Sequence, residues 1–336
     1  TVPKEYGGAG LGILAQCIVD EELAKHRLGC YNSTLGVFGG SPPENLYLAT
    51  DYQREKYLYP VLRGEKVGAF ALTEPAAGSD PASMETTARR DGDHWIINGT
   101  KHFITGGDKA DFALVYARTD RGKGRAGITC FIVDRDAPGF RVTQVMPVIR
   151  PYYPAQLLFE DCVVSDENRL RSEGEGFQLA QRHLGANRIT YAANCIGTAD
   201  LALRMAITYA RQRVTFGQPL AERQAIQWMI ADSAVEIHAA RLMVYHAAWK
   251  HEQGKDTRHE ASIVKLYATE TVGRVVDRAI QIHGGIGVSK DLPLERWYRE
   301  VRVKRIGEGP SEVHRMVIAR NLLKGHVHQN PLEDQL

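Results

Sequence analysis

The chain has 336 residues, 43% of them hydrophobic and 24% charged, with 42 basic side chains against 40 acidic ones and a formal net charge of +2. That length suits two or three domains. The balanced charge gives no footprint for nucleic-acid binding, and no apolar run reaches the roughly 18 residues of a membrane helix.

From Leu11 to about Arg63 the pattern is helical, with Ile18, Leu23 and Leu28 in stretches punctuated by Gly39-Gly40 and Pro42-Pro43. From about Val67 to Val164 it turns strand-like. Residues Trp95 to Ile104 predict two short strands around an Asn98-Gly99 turn, since Asn-Gly suits the positive φ angles of a two-residue hairpin. Phe112 to Ala117, Gly127 to Val133 and Leu157 to Phe159 predict further strands. After about Gly176 the chain is helical. Ile189, Ala193, Ile196, Leu203, Ile207 and Ala210 share one face of a long helix. A second helix spans about Glu222 to Glu252 and carries Ile226, Ile230, Ile237 and Val244. A third spans about Glu260 to His283, and a fourth begins at Pro310. Helices, then a β domain, then antiparallel helices is the predicted order.

The common motifs exclude several chemistries. Gly7, Gly8, Gly10 and Gly12 do not fit G-x-G-x-x-G and follow no strand. There is no P-loop and no G-x-S-x-G, and His251-Glu252 and His259-Glu260 lack the second histidine of a zincin. No metal site is expected. Cys17, Cys30, Cys130, Cys162 and Cys195 form no C-x-x-C pair and are odd in number. That argues against a disulfide framework and for a reducing compartment.

Three segments break local rules, as functional sites tend to. In Phe70 to Asp80 an apolar strand runs into small residues and two hydroxyls, which lets backbone N–H groups approach an anion or a ring edge. A simple strand exit would look the same. In Gln281 to Gly287 a helix ends in three glycines, where a C-cap explains only one. In Arg305 to Arg315 a glycine-flanked Glu308 precedes Pro310, which suits the first residue of a helix. A first-turn glutamate favoured by the helix dipole is the plain alternative.

Together these segments resemble the acyl-CoA dehydrogenase family, in order and over nearly the whole chain. Phe70 to Asp80 is similar to that family's flavin signature, and Phe103-Ile104-Thr105 to its second flavin strand. Arg213 to Gly217 and Gln281 to Gly285 match as well, and Gly307-Glu308-Gly309 falls where the catalytic glutamate lies. The resemblance implies a mainly α fold with a central β domain: N-terminal helices over 1–66, a β-barrel or sandwich over 67–171, and a four-helix bundle over 172–336. A usual N-terminal domain of this kind has about 40 or more further residues before Thr1.

The resemblance also implies an FAD cofactor. Phe70, Leu72, Thr73, Ser79, Phe103 and Thr105 would meet the flavin. Arg213, Phe216, Gln224, Gln281, Gly285 and Glu312 would grip the diphosphate and adenosine of a neighbouring subunit. Ser79, Gly185, Arg188 and Gly309 would lie on the substrate side. Glu308 would remove the α proton of an acyl-CoA, the β hydrogen leaving as hydride to the flavin and giving a trans-2-enoyl-CoA. An electron-transferring flavoprotein would be the acceptor and a homotetramer, a dimer of dimers, the assembly. The implied compartment is the cytoplasm in a bacterium, or the mitochondrial matrix or peroxisome in a eukaryote. An acyl-CoA oxidase and a catalytically silent scaffold are the alternatives.

Several positions depart from the family pattern. Gly185 replaces an acidic residue often found near the pantetheine, and Asn187 stands where a minority of relatives carry the base. Pro310 replaces a threonine and Glu312 a frequent glutamine. Gly307 replaces a bulkier residue, often tyrosine. A glycine there either leaves room for a branched or cyclic acyl group or supplies backbone freedom.

Overall fold

The computed structural model describes residues 2–31 and 44–325. The punctuating Gly39-Gly40 and Pro42-Pro43 lie outside them. Helix α1 (Gly12–Ala24) and the short α2 (Asp51–Gln53) and α3 (Tyr59–Leu62) come first. Strands β1 (Gly68–Ala71), β2 (Thr87–Asp91), β3 (His94–Thr105), β4 (Phe112–Arg118), β5 (Ile128–Asp134), β6 (Phe140–Val145), β7 (Pro154–Ser165) and β8 (Arg169–Leu170) follow. Then come α4 (Gly176–Gln212), the short pair β9 (Val214–Thr215) and β10 (Gln218–Pro219), α5 (Gln224–Glu252), α6 (Arg258–His283), α7 (Leu294–Lys304) and α8 (Ser311–Leu323). The chain divides into a sheet unit, Gly36–Leu184, and a helical unit, Thr1–Leu35 with Gly185–Leu336. The boundary falls inside α4.

In the sheet unit the strand order is β6-β7-β3-β2-β4-β5-β8, with β1 parallel to β4. β4 and β5 are buried along all but their last residues, so both read as continuous apolar runs. Trp95, Ile97, Phe131, Leu157 and Phe159 fill the core. The expected hairpin at Asn98-Gly99 is absent. β3 runs through both residues and pairs antiparallel with β7, with a register shift between Ile97 and Gly99. Gly99, at φ 148, is needed because a Cβ there would lie 2.7 Å from the Thr86 Cα. Asn98 bonds Asp161 on β7 in both directions, at 3.0 and 2.8 Å, instead of closing a turn. Asn-Gly here makes a bulge, a feature that shares the positive-φ requirement of a hairpin.

In the helical unit α6 packs against α5, α7 and α8, and α1 packs against α5. Ala261, Val264, Ala268, Val272, Val275, Ala279 and Ile282 form its buried stripe at three- and four-residue steps. Of the face expected on α4, Ile189, Ala193, Ile196 and Ala210 are buried, while Leu203 and Ile207 are only partly covered. Helix α7 was not expected. Its signal is Pro293 followed by Leu294, Trp297 and Val301, all buried. Trp297 donates to the Arg27 carbonyl at 3.1 Å, against Gly29, where a Cβ would come within 2.6 Å of the indole nitrogen. The last helix begins at Ser311; Pro310 is its N-cap, in extended conformation, one residue earlier than expected of it.

Candidate active site

The expected flavin residues of the sheet unit are held by one buried ion pair. The chain leaves β1 at Ala71 and passes through Leu72, Thr73 and Glu74. The Glu74 carboxylate accepts from the Glu85 N–H at 2.6 Å, the Thr86 N–H at 3.1 Å and the Lys101 ammonium at 2.7 Å. Lys101 is fully buried on β3 and also donates to the Leu72 carbonyl at 3.1 Å. Burial works to raise the Glu74 carboxyl, but the Lys101 charge and these bonds leave it below its usual range. Burial lowers Lys101 to about 8 against the pull of Glu74. The sequence reading gave neither residue a role, because a charged side chain in a strand, like Lys101, or in a loop, like Glu74, is ordinarily assigned to solvent.

The pair brings Thr73 and Phe103 together. The His102 N–H donates to the Thr73 carbonyl at 2.8 Å. A second register shift in β3, between Lys101 and Ile104, then turns Phe103 outward at φ 57, where it stays 56% exposed. A bulky residue at positive φ is an outlier, and the conformation presents the ring to solvent. Thr105 follows, its hydroxyl accepting from Arg150 at 3.0 Å and keeping its own proton free to donate. An exposed ring beside two threonines fits a planar, polar-edged cofactor. Ser79 is exposed at the end of the loop. Phe70 and Leu72 are different. Phe70 packs against Tyr116 and stacks on His183 with ring centres 4.4 Å apart, and Leu72 is buried. Their side chains turn inward, so only their backbone is available to a ligand.

In the helical unit Glu308 and Arg188, separated by 120 residues, come together. Glu308 has φ 58, a left-handed conformation that costs a non-glycine residue about 1–3 kcal/mol. Three groups hold it there. Arg188 Nε donates to the Glu308 carbonyl at 3.0 Å. His314 Nε2 lies 3.2 Å from the same oxygen, and Lys265 Nζ donates to the Gly309 carbonyl. Lys265 and His314 are fully buried. Burial lowers His314 to about 3, so the ring is neutral and Nε2 carries the proton toward the carbonyl. Gly309, expected on the substrate side, has φ 95, and a Cβ there would stand 3.1 Å from His314 Nε2 and 3.4 Å from Arg188. Its glycine serves this clamp.

Two polar groups of Glu308 remain unpaired among the described residues. Oε2 is buried without a hydrogen-bond partner, and the backbone N–H donates no hydrogen bond. Burial raises the carboxyl above its usual range, opposed by the charges of Arg188, Lys265 and Lys304. A Cβ on Gly185 would meet nothing within 4 Å outside its own helix.

The residues expected at the nucleotide, Arg213, Phe216, Gln224, Gln281, Gly285 and Glu312, are all exposed on the helical unit. Phe216 is 97% exposed at the tip of the β9–β10 turn, where Phe216 and Gly217 both have positive φ. Helix α5 also exposes Trp228, Val235, Leu242 and Trp249, a stripe with seven-residue spacing. Among the described residues no group of three or more His, Cys, Asp or Glu is placed to hold a metal, and no helix is long and apolar enough to cross a membrane.

Comparison with known proteins identifies the family. Three acyl-CoA dehydrogenase family models match in succession: the N-terminal domain over residues 1–65, the middle domain over 69–162 and the C-terminal domain over 174–323. The chain is 44% identical to a 3-(aryl)acrylate reductase of Clostridium sporogenes, over 96% of this chain and 86% of that protein. It is 40% identical to a short-chain specific acyl-CoA dehydrogenase of Clostridium acetobutylicum, over 96% of this chain and 85% of that protein. A solved structure described as "Electron transferring flavoprotein of Acidaminococcus fermentans: Towards a mechanism of flavin-based electron bifurcation" superposes with a TM-score of 0.90 at 41% identity, covering 96% of this chain and 86% of that one. The chain therefore belongs to the acyl-CoA dehydrogenase family and is an oxidoreductase.

Proposed function

We propose that the protein is an FAD-dependent dehydrogenase that oxidises an acyl-CoA thioester to the trans-2-enoyl-CoA, with Glu308 as general base. One observation carries the reading: a single residue, held in a left-handed turn by Arg188, Lys265 and His314, leaves both a carboxylate oxygen and a backbone N–H unpaired. An α C–H bond next to a thioester is a weak acid, and breaking it puts negative charge on the thioester oxygen. The Glu308 N–H is the donor for that oxygen, acting as an oxyanion hole does. The Glu308 carboxylate takes the proton, and its raised pKa brings it closer to working pH, as a general base needs.

The family is FAD-dependent. Thr73, Phe103 and Thr105 would hold the ring, with Ser79 at its edge. The exposed set Arg213, Phe216, Gln224, Gln281, Gly285 and Glu312 would hold the nucleotide half from a second copy of the chain. Bound there, FAD supplies a two-electron acceptor for the β hydride. Arg188 holds the base, and Gly185 lies on the acyl-CoA side. The division into 1–66, 67–171 and 172–336 belongs to the same proposal. A homotetramer and an electron-transferring flavoprotein as electron acceptor complete it, the first supported by the exposed α5 stripe and the second by the Acidaminococcus neighbour.

The reductase of C. sporogenes supports a second reading, in which the same residues run the reaction backwards and Glu308 delivers a proton to the α carbon of an enoyl thioester. An anaerobic panel decides between them. Bleaching of the oxidised flavin by saturated acyl-CoAs is the expected result. A flavin that ignores every saturated thioester but, once reduced, is reoxidised by enoyl thioesters would give the reductive reading instead.

A further inference from the structure

The base assignment leaves open what shapes the acyl group next to it, and Gly307 points to the answer. Gly307 immediately precedes Glu308, so their Cα atoms are about 3.8 Å apart. Its φ lies outside the left-handed region, so the backbone does not require a glycine there. A neighbour does. A Cβ on residue 307 would stand 3.2 Å from the Tyr191 hydroxyl oxygen and 3.7 Å from the Val303 carbonyl oxygen. Tyr191, on α4, thus aims its hydroxyl at the loop that carries the base.

The ring is held from behind. The Lys304 ammonium lies 3.8 Å from the Tyr191 ring centre and 4.6 Å from that of Tyr31, and donates to Asn194 Oδ1 at 3.2 Å. Lys304 and Asn194 are buried, so the ammonium is a fixed, desolvated anchor for the ring face. Tyr191 itself is only partly buried, and its hydroxyl has no hydrogen-bond partner among the described residues. Burial raises its pKa well above the usual tyrosine value, and the charge of Glu308 raises it further, so the phenol stays neutral beside the base.

We infer that Tyr191 is a specificity-determining residue whose hydroxyl edge walls the acyl site beside the reacting carbons, favouring acyl-CoA thioesters unbranched at the α and β positions. The inference rests on the reading of Glu308 as the base. It stands against one of the two readings of Gly307, that the glycine opens room for a branch or ring. The glycine leaves a space, and Tyr191 fills it from the helix side.

The test compares Tyr191→Ala, Tyr191→Phe, Gly307→Ala and Tyr191→Phe with Gly307→Ala, each as FAD-loaded protein. The substrates are a straight-chain acyl-CoA and its 2-methyl-branched counterpart. Removing a wall of this size should raise the branched-to-straight ratio of kcat/KM in Tyr191→Ala by about 10- to 200-fold. An unmoved ratio in folded Tyr191→Ala overturns the inference. If Tyr191→Ala does not fold, the thermal cycle carries the test. Gly307→Ala should lower Tm beside Tyr191 and be relieved in the Tyr191→Phe background, which lacks the crowding oxygen. Equal Tm losses in both backgrounds overturn the placement of the wall. Failure of the base assignment looks different: Glu308→Gln would then oxidise both substrates at near-native rates, whatever Tyr191 does to their ratio.

Discussion

Arg188 on α4 donates to the carbonyl oxygen of Glu308 at 3.0 Å, so the expected substrate-side arginine grips the backbone of the expected base and not its carboxylate. This separates two tasks. The carbonyl takes the hydrogen bonds of Arg188 and His314, while Arg188, Lys265 and Lys304 act on the carboxylate only through space. A carboxylate locked in an ion pair would be a poor proton acceptor; one that is buried, near cations and unpaired at Oε2 keeps its basicity.

Replacing Glu308 with glutamine tests the base. The amide is nearly isosteric and the clamp acts on the backbone, so the variant should fold, stay yellow and retain FAD. A general base contributes on the order of 100- to 10,000-fold. A loss at the upper end or beyond is expected, since Asn187 supplies no second carboxylate. The measurement is the rate of anaerobic flavin bleaching by acyl-CoA, and a near-native rate would remove Glu308 from the mechanism.

The pH profile tests the electrostatics. A base must be deprotonated, so kcat/KM should rise with pH through the Glu308 pKa, which burial places above the usual carboxylate range. Lys265 opposes that shift. Burial lowers Lys265 itself to about 8, so at neutral pH it is mostly charged. Lys265→Met removes a nearby positive charge, which should move the ascending limb to higher pH. The same substitution frees the Gly309 carbonyl and should lower Tm. A limb that stays in place while Tm falls would show Lys265 to be structural alone.

How much of this was legible beforehand depended on whether the signal was local. The span of α6, the apolar runs of β4 and β5 and the loop position of the glycine-flanked Glu308 depend on neighbouring residues and are legible in the sequence as elements. Asn98-Gly99 was misread because a bulge and a hairpin make the same local demand, and only the position of β7 separates them. Helix α7 was passed over between two stronger signals, the Gly284-Gly285 turn and Glu308. Lys265, His314, Tyr191 and Lys304 could not be found at all. For Lys265, Tyr191 and Lys304 the meaning lies in contacts across tens of residues, such as the 44-residue separation from Lys265 to Gly309, and His314, six residues from Glu308, gains its meaning only from the turn that folds it back.

The Glu74–Lys101 pair predicts an asymmetry between single and double substitutions. Both partners are buried, so Lys101→Met leaves an unpaired carboxylate and Glu74→Gln an unpaired ammonium. Breaking one side of such a pair typically costs about 3–5 kcal/mol, whereas replacing both with apolar side chains of similar volume is often near neutral. Here the Glu74 carboxylate also holds the Glu85 and Thr86 N–H groups. The double variant should therefore recover only part of the Tm lost by each single one. Because the pair fixes Thr73 beside Phe103, FAD should be released more readily in all three. Full FAD retention in a destabilised single variant would mean that the loop is placed by other contacts.

The exposed stripe on α5 bears on assembly. Trp228, Val235, Leu242 and Trp249 are 61%, 69%, 57% and 39% exposed. Seven residues are close to two turns, so all four lie on one face of the helix, opposite in role to the buried Ile237 and Val244. Scattered apolar residues on a surface are ordinary, but a row of four including two tryptophans is what the proposed assembly would bury. The partner argued for is a second copy of this chain, because the same unit also exposes Phe216 and the other residues expected at a nucleotide whose flavin half would sit on the sheet unit. In a symmetric assembly one self-complementary patch buries itself twice. Leu242→Glu puts a charge in the middle of the stripe and leaves the buried face of α5 untouched. It should shift the sedimentation coefficient from that of the proposed tetramer to a smaller species and weaken FAD binding, without lowering helix content in far-ultraviolet circular dichroism. A wild-type protein that sediments as a monomer at assay concentration while holding FAD and oxidising acyl-CoA would refute both the assembly and the shared cofactor site.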